Sequence, residues 1–177
     1  MSHLFQNSRT GQRWELINFV SKPSGIRGMA MLSSMLEIGL FEAGGGHWAG
    51  CWDDLAKKVV STCTANKSKV AHLRISCHGD DGAFALGRSV FAAKNAPQWR
   101  PIVSQIASYF VPRVSFVTID ACRVAQDSEV LGLFSEALGG VAVRGYMEVQ
   151  TKSTSEENDR GDFVTCHMEN CRRTGGL

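Results

Sequence analysis

Three apolar runs of strand length, separated by amphipathic helix-length segments, constrain this chain more than any other feature. Residues 70–77, VAHLRISC, alternate Ala71, Leu73, Ile75 and Cys77 with His72, Arg74 and Ser76, the two-residue period of a strand. VSFVTID at 114–120 and VAVRGY at 141–146 are the second and third. Between the first two, a helix is expected from about Gln98 to Phe110, with Pro101 in its first turn and Val111-Pro112 as its stop. Between the last two, a helix from about Ser128 to Leu138 turns Val130, Leu131, Phe134, Ala137 and Leu138 inward and ends on Gly139-Gly140. Strands alternating with helices imply parallel pairing through right-handed crossovers. The expected fold class is therefore α/β, a three-layer sandwich around a mostly parallel central sheet.

The flanking sequence extends that reading. WELINFV at 14–20 is rich in β-formers and stops at SKPSG, so it reads as a first strand and its turn. The segment 26–46, IRGMAMLSSMLEIGLFEAGGG, is apolar nearly all round a helix and closes on glycines, which predicts a buried helix. DDLAKKVVSTC at 53–63 predicts an amphipathic helix with Asp53 as N-cap, Leu55, Ala56, Val59, Val60 and Cys63 on one face, and Asp54 four residues before Lys58. Residues 1–150 read as a single domain. Residues 151–177 read as a polar loop, TKSTSEENDRGD, and a C-terminal segment that packs on or trails that domain.

Composition excludes several classes. Net charge is +2, and the 19 Lys and Arg are scattered without a basic run, so no footprint for nucleic acid is visible. No segment reaches the ~18 uninterrupted apolar residues that a membrane span needs, and the N-terminus lacks the apolar core of a signal peptide. These features lead to the expectation of a soluble, cytoplasmic protein whose six cysteines are kept as thiols. No G-x-S-x-G or G-x-x-x-x-G-K-[ST] occurs, which disfavours serine hydrolase and P-loop chemistry, and AGGGHWAG follows a helix rather than a strand.

The chemistry-bearing residues stand just beyond two strands. In an open parallel sheet, sites form beyond the carboxyl ends, where helix N-termini and loop backbone converge. VAHLRISC leads into His78-Gly79-Asp80-Asp81-Gly82, and VSFVTID leads into Ala121-Cys122. His78 and Cys122 lie 44 residues apart, room for one strand-helix-strand crossover, so one cleft can hold a thiol nucleophile and its acid/base partner. Cys77 reads as core packing and Gly82 with Gly87 as hairpin shaping. Asp120 has two equal readings, a turn cap and a specificity group.

Strand, His78-Gly79, crossover, strand, Asp120-Ala121-Cys122 resembles the caspase-like cysteine peptidases, which include caspases, metacaspases and CHAT-domain proteases. Ala121-Cys122-Arg123 partly matches the caspase signature, and Asp120-Ala121-Cys122 is closer to the metacaspase pattern. SCHGDDGAFALG and ACRVAQDSEVLGLFSEALGGVAVRG look most like bacterial CHAT-type domains, a likeness covering roughly residues 70–146. The loop CRVAQ departs from both Cys-His-Ser-Gly and Cys-Arg-Gly. The resemblance implies a caspase-like fold and a cysteine endopeptidase: Cys122 as nucleophile, His78 as acid/base, and Gly79 and Cys122 N–H as oxyanion donors. It further implies Asp120 in a pocket for Arg or Lys, with Asp80 and Asp81 adding negative potential, and a protein or peptide substrate. No cofactor or metal is called for, and a partner chain or homodimer could complete the cleft of so short a domain. Self-cleavage after Arg160, Arg172 or Arg173 is a further expectation.

Two alternatives stand beside this reading. One is a non-catalytic interaction module of the same fold that binds a peptide or partner domain. The other is a zinc-stabilised adaptor using Cys166, His167 and Cys171.

Overall fold

The computed structural model describes residues 3–6, 11–21, 46–148 and 162–174. The helix expected over 26–46, the polar loop from residue 151 and Arg160 lie outside them. In chain order the strands are β1 (His3–Gln6), β2 (Arg13–Ser21), β3 (Gly46–Ala49), β4 (Ser68–Ser76), β5 (His78–Asp80), β6 (Ala83–Leu86), β7 (Ser89–Ala92), β8 (Phe116–Asp120), β9 (Ala142–Tyr146), β10 (Phe163–His167) and β11 (Asn170–Thr174). The α-helices are α1 (Trp52–Asn66), α2 (Ala96–Ser104) and α3 (Glu129–Ala137).

The protein is α/β, built on an eight-stranded mixed sheet in the order β1-β2-β4-β8-β9-β10-β11, with β3 also on β2. The inner pairs β2–β4, β4–β8 and β8–β9 are parallel, as is β2–β3; β1, β10 and β11 join antiparallel. Ile17, Phe19, Leu73, Ile75, Val117, Ile119 and Val143 are fully buried and form the sheet's share of the core. On β4 the sequence alternation breaks once. Glu15 pairs Val70 and Leu16 pairs His72, so Ala71 is left over as a bulge, and it is Val70 rather than Ala71 that is buried with Leu73 and Ile75.

The helices differ from expectation mainly at their ends. α1 starts at Trp52 with Cys51 as N-cap; Asp53 sits in the first turn, and Asp54 Oδ2 accepts the Gly50 N–H at 3.1 Å. Asp54 also pairs with Lys58, and Leu55, Ala56, Val59 and Cys63 face the core as read from sequence. Burial pushes the Cys63 thiol up to about 11, with the Ser68 hydroxyl opposing that shift. α2 begins before Gln98, so Pro97 occupies the first turn and Pro101 the interior, where it removes a backbone donor. The helix stops at Ser104 and a 3₁₀ turn follows at Ala107–Tyr109. α3 agrees with the sequence reading at both ends: Gly139 and Gly140 take positive φ beyond its C-terminus.

β5, β6 and β7 form a separate three-stranded antiparallel sheet. Gly82 and Gly87, both at positive φ, make its two turns. Its buried side locks onto the helices through aromatic contacts. Phe84 and Phe91 stack at 4.4 Å, and both lie within 5.9 Å of Phe134 on α3, while Trp99 on α2 lies 5.5 Å from Phe91. All four rings are buried.

At the far edge, the β10–β11 hairpin sets Cys166 opposite Cys171, with Cα atoms 4.0 Å apart, and joins them in a disulfide. This corrects the expectation of six thiols: a directly opposed pair in an antiparallel ladder brings two side chains within bonding reach. Cys51, Cys63, Cys77 and Cys122 are not in disulfides. Arg172 and Arg173 lie within β11, hydrogen-bonded opposite Thr165 and Val164, a conformation ill suited to cleavage in the folded chain. No helix among the described residues is long and apolar enough to cross a membrane.

Candidate active site

The site grows from the β4–β8 register. His72 pairs Phe116, Arg74 pairs Thr118 and Ser76 pairs Asp120. One further backbone bond, Cys77 N–H to the Asp120 carbonyl at 3.1 Å, carries the pairing past the strand ends. His78 and Cys122 are separated along the chain by the same interval as each of those pairs, and each lies two residues beyond the last paired residue of its strand, Ser76 and Asp120.

There the chain turns out of the main sheet. β4 ends at Ser76, one residue before the end expected from sequence, and His78 opens β5, where it pairs Ala85 and is exposed. Gly79 next to it lies flat on the Cys122 segment. A Cβ on Gly79 would run into the Cys122 carbonyl oxygen and sit 2.8 Å from both Cys122 N and Ala121 Cβ. Only glycine permits that approach. Ala121 is fully buried beneath, and Cys122 is half-buried, between the β5 hairpin and the solvent.

The loop after Cys122 is held from two sides. On one side backbone bonds tie it to the end of β9: Arg123 N–H to the Glu148 carbonyl and Ala125 N–H to the Tyr146 carbonyl, each 3.0 Å. On the other, Arg123 Nη2 meets Asp80 Oδ1 at 2.6 Å and Arg123 Nε meets Asp81 Oδ1 at 3.3 Å. Arg123 itself has φ +52, a left-handed conformation that costs a non-glycine residue ~1–3 kcal/mol and persists where surroundings enforce it. Gly82 lies against Asp127 at the end of the same loop.

Each acidic residue read as substrate-binding has a partner inside the chain. Asp80 and Asp81 hold Arg123, and Asp120 Oδ2 accepts from Arg74 Nη2 at 2.7 Å and from Ser76 Oγ at 3.2 Å. Asp120 is thus neither a turn cap nor an open anion. Arg74 and Arg123 are the residues that sequence reasoning missed. Arg74 shares a strand face with Ser76 two positions before the strand end, a signal available in the alternation; the left-handed turn at Arg123 leaves no sequence signal.

Cys77, adjoining His78, packs against the core, and its thiol is pushed well up, first by burial and then by the nearby Asp120 charge, so it stays protonated. The zinc reading is corrected: Cys166 and Cys171 are consumed in the disulfide, and no group of three or more His, Cys, Asp or Glu among the described residues could hold a metal ion.

No protein-family model matches the chain, and no curated protein matches it significantly in sequence.

Proposed function

We propose that the protein is a cysteine endopeptidase with a caspase-like fold, working through a Cys122–His78 dyad. The observation that carries this reading is the seating of Gly79 backbone on Cys122 backbone, which puts the residue after the histidine against the nucleophile's own peptide. In the reaction, the Cys122 thiolate attacks the substrate carbonyl. His78 protonates the departing amine, and later takes a proton from the water that hydrolyses the acyl-enzyme. The N–H groups of Gly79 and Cys122 would hold the oxyanion, each such donor contributing on the order of 3 kcal/mol to the transition state.

Selectivity for Arg or Lys at the cleaved bond would work by exchange. Asp120 already binds a guanidinium in the chain's own Arg74, so a basic substrate side chain would compete with Arg74 for the carboxylate. A fluorogenic panel with Arg, Lys, Asp, Asn and Leu at the cleaved position, run on wild type and Cys122→Ala, tests the proposal. Turnover of the Arg and Lys peptides that is abolished in the variant is expected. Equal signal from both proteins, or none, overturns it.

A second reading, a non-catalytic module that binds a peptide or partner domain, is favoured by one observation: all three acidic groups of the mouth are ion-paired within the chain. It predicts no labelling advantage for Cys122 over the other thiols outside the disulfide in the folded state.

A further inference from the structure

From the arrangement around Cys122 we infer that Arg123 is a positioning residue for the nucleophile: it ties the peptide that follows Cys122 to the hairpin that carries His78, and thereby sets the distance between sulfur and imidazole. The inference rests on the dyad reading and goes beyond it by assigning the part that fixes the dyad's geometry.

Three independent features converge on Arg123. Its backbone is left-handed at φ +52, so the chain direction reverses immediately after the sulfur-bearing residue. Its N–H and C=O are both engaged at 3.0 Å: the bond to the Glu148 carbonyl pins the turn to the chain just after β9, and the bond from the Gln126 N–H closes the turn on itself. Its guanidinium forks across two consecutive carboxylates, Asp80 Oδ1 at 2.6 Å and Asp81 Oδ1 at 3.3 Å, in the turn that closes β5. That turn is itself ordered, because Asp80 Oδ1 also accepts the Asp81 N–H at 3.0 Å.

The two anchors differ in kind. The hairpin is fixed to the core by Phe84 and Phe91, and the loop end by backbone bonds to β9. Cys122 lies between them: the Gly79 contact and the arginine fork hold it to the hairpin, and the backbone bonds to β9 hold the loop that follows it. A planar guanidinium can bridge two carboxylates with fixed geometry, whereas an ammonium acts as a point charge and cannot reproduce both contacts. Without the fork, only the backbone bonds hold the left-handed turn, its tie to the hairpin is lost, and relaxation there moves Cys122 relative to His78. Nucleophilic reactivity is sensitive to such movement: a displacement near 1 Å can cost about 100-fold in rate.

The test is the rate at which low-dose iodoacetamide alkylates Cys122, read by peptide mapping, in the full chain with folding confirmed by circular dichroism. The variants are R123A, R123K, D80N/D81N, H78A and R123A/H78A. In wild type, Cys122 is expected to react faster than Cys51, and H78A to remove the advantage. R123A and D80N/D81N should each slow it, by about 10-fold or more, R123K should lie between, and R123A should add nothing in the H78A background.

The sign in D80N/D81N separates positioning from simple electrostatics. Removing two nearby negative charges stabilises a thiolate through space and would speed labelling, so faster labelling overturns the inference. So does wild-type reactivity in both R123A and D80N/D81N while H78A is slow, or a full additive effect of R123A on H78A; each leaves the dyad reading intact. Wild-type Cys122 reacting no faster than Cys51 sinks the dyad, and the inference with it. Where R123A fails to fold, D80N/D81N and R123K decide.

Discussion

Arg74 Nη2 stands 2.7 Å from Asp120 Oδ2, a diagonal pair across the parallel strands β4 and β8. The side chains are 29% and 16% exposed, so the pair is mostly withdrawn from water, and Ser76 Oγ supplies a second donor to the same oxygen. This ion pair lies one residue from Ala121 and two from Cys122. It links the stability of the sheet's end to the charge available at the mouth of the site.

Arg74→Ala leaves that carboxylate enclosed without its cation. We expect a loss of roughly 1–3 kcal/mol of folding stability, with Arg74→Ala/Asp120→Asn costing less than the sum of the two single changes. Urea unfolding of the four proteins measures both quantities.

His72 predicts a pH dependence. Its ring faces Thr118 Oγ1 at 2.9 Å, and its pKa falls from 6.5 to about 4, through burial first and then the positive charges of Arg144 and Arg74. The unfolded chain therefore binds a proton that the native chain refuses between those values, so stability is complete above pH 6.5 and declines as pH falls toward 4. His72→Gln, which keeps a partner for Thr118, should flatten this slope in urea midpoints taken at several acidic pH values. An unchanged slope would refute the assignment.

Gly79→Ala forces a methyl group into the Cys122 peptide. A cost of roughly 1–3 kcal/mol is expected from overpacking, together with slower alkylation of Cys122 because its backbone must retreat. A thermal melt and the labelling assay read the two effects separately.

The disulfide gives a count. Denatured without reductant, the chain should take up four alkyl groups, at Cys51, Cys63, Cys77 and Cys122, and six after reduction. Joining two residues only five positions apart closes a short loop, so Cys166→Ser/Cys171→Ser should lower stability by about 2 kcal/mol on the chain-entropy account.

Much of this fold was legible because the central strands obey one rule each. β8 and β9 are short, β-former-rich segments set between helix-length stretches, and α3 has both an inward stripe and a double-glycine stop. The reading faltered where structure depends on a partner strand rather than on local pattern. The bulge at Ala71 comes from β2, the Cys166–Cys171 bond from hairpin register, and the separate β5–β7 sheet from Phe84 and Phe91 finding Phe134. At the site, the residue types and their interval along the chain were visible in His78-Gly79 and Ala121-Cys122, just beyond VAHLRISC and VSFVTID. The alternation set Arg74 on one face with Ser76, but the pairing of Arg74 with Asp120 and of Arg123 with Asp80 and Asp81 was not visible, because an ion pair between distant residues has no periodicity to betray it.

The stacked rings beneath the small sheet carry a consequence for motion. A platform nailed to two helices by four sealed aromatic side chains opens only when the whole core opens, so amide protons of Phe84 and Phe91 should exchange with deuterium as slowly as those of Leu131 or Ile119. The imidazole of His78 thus rides on bedrock, and any adjustment during function falls to the segment opposite.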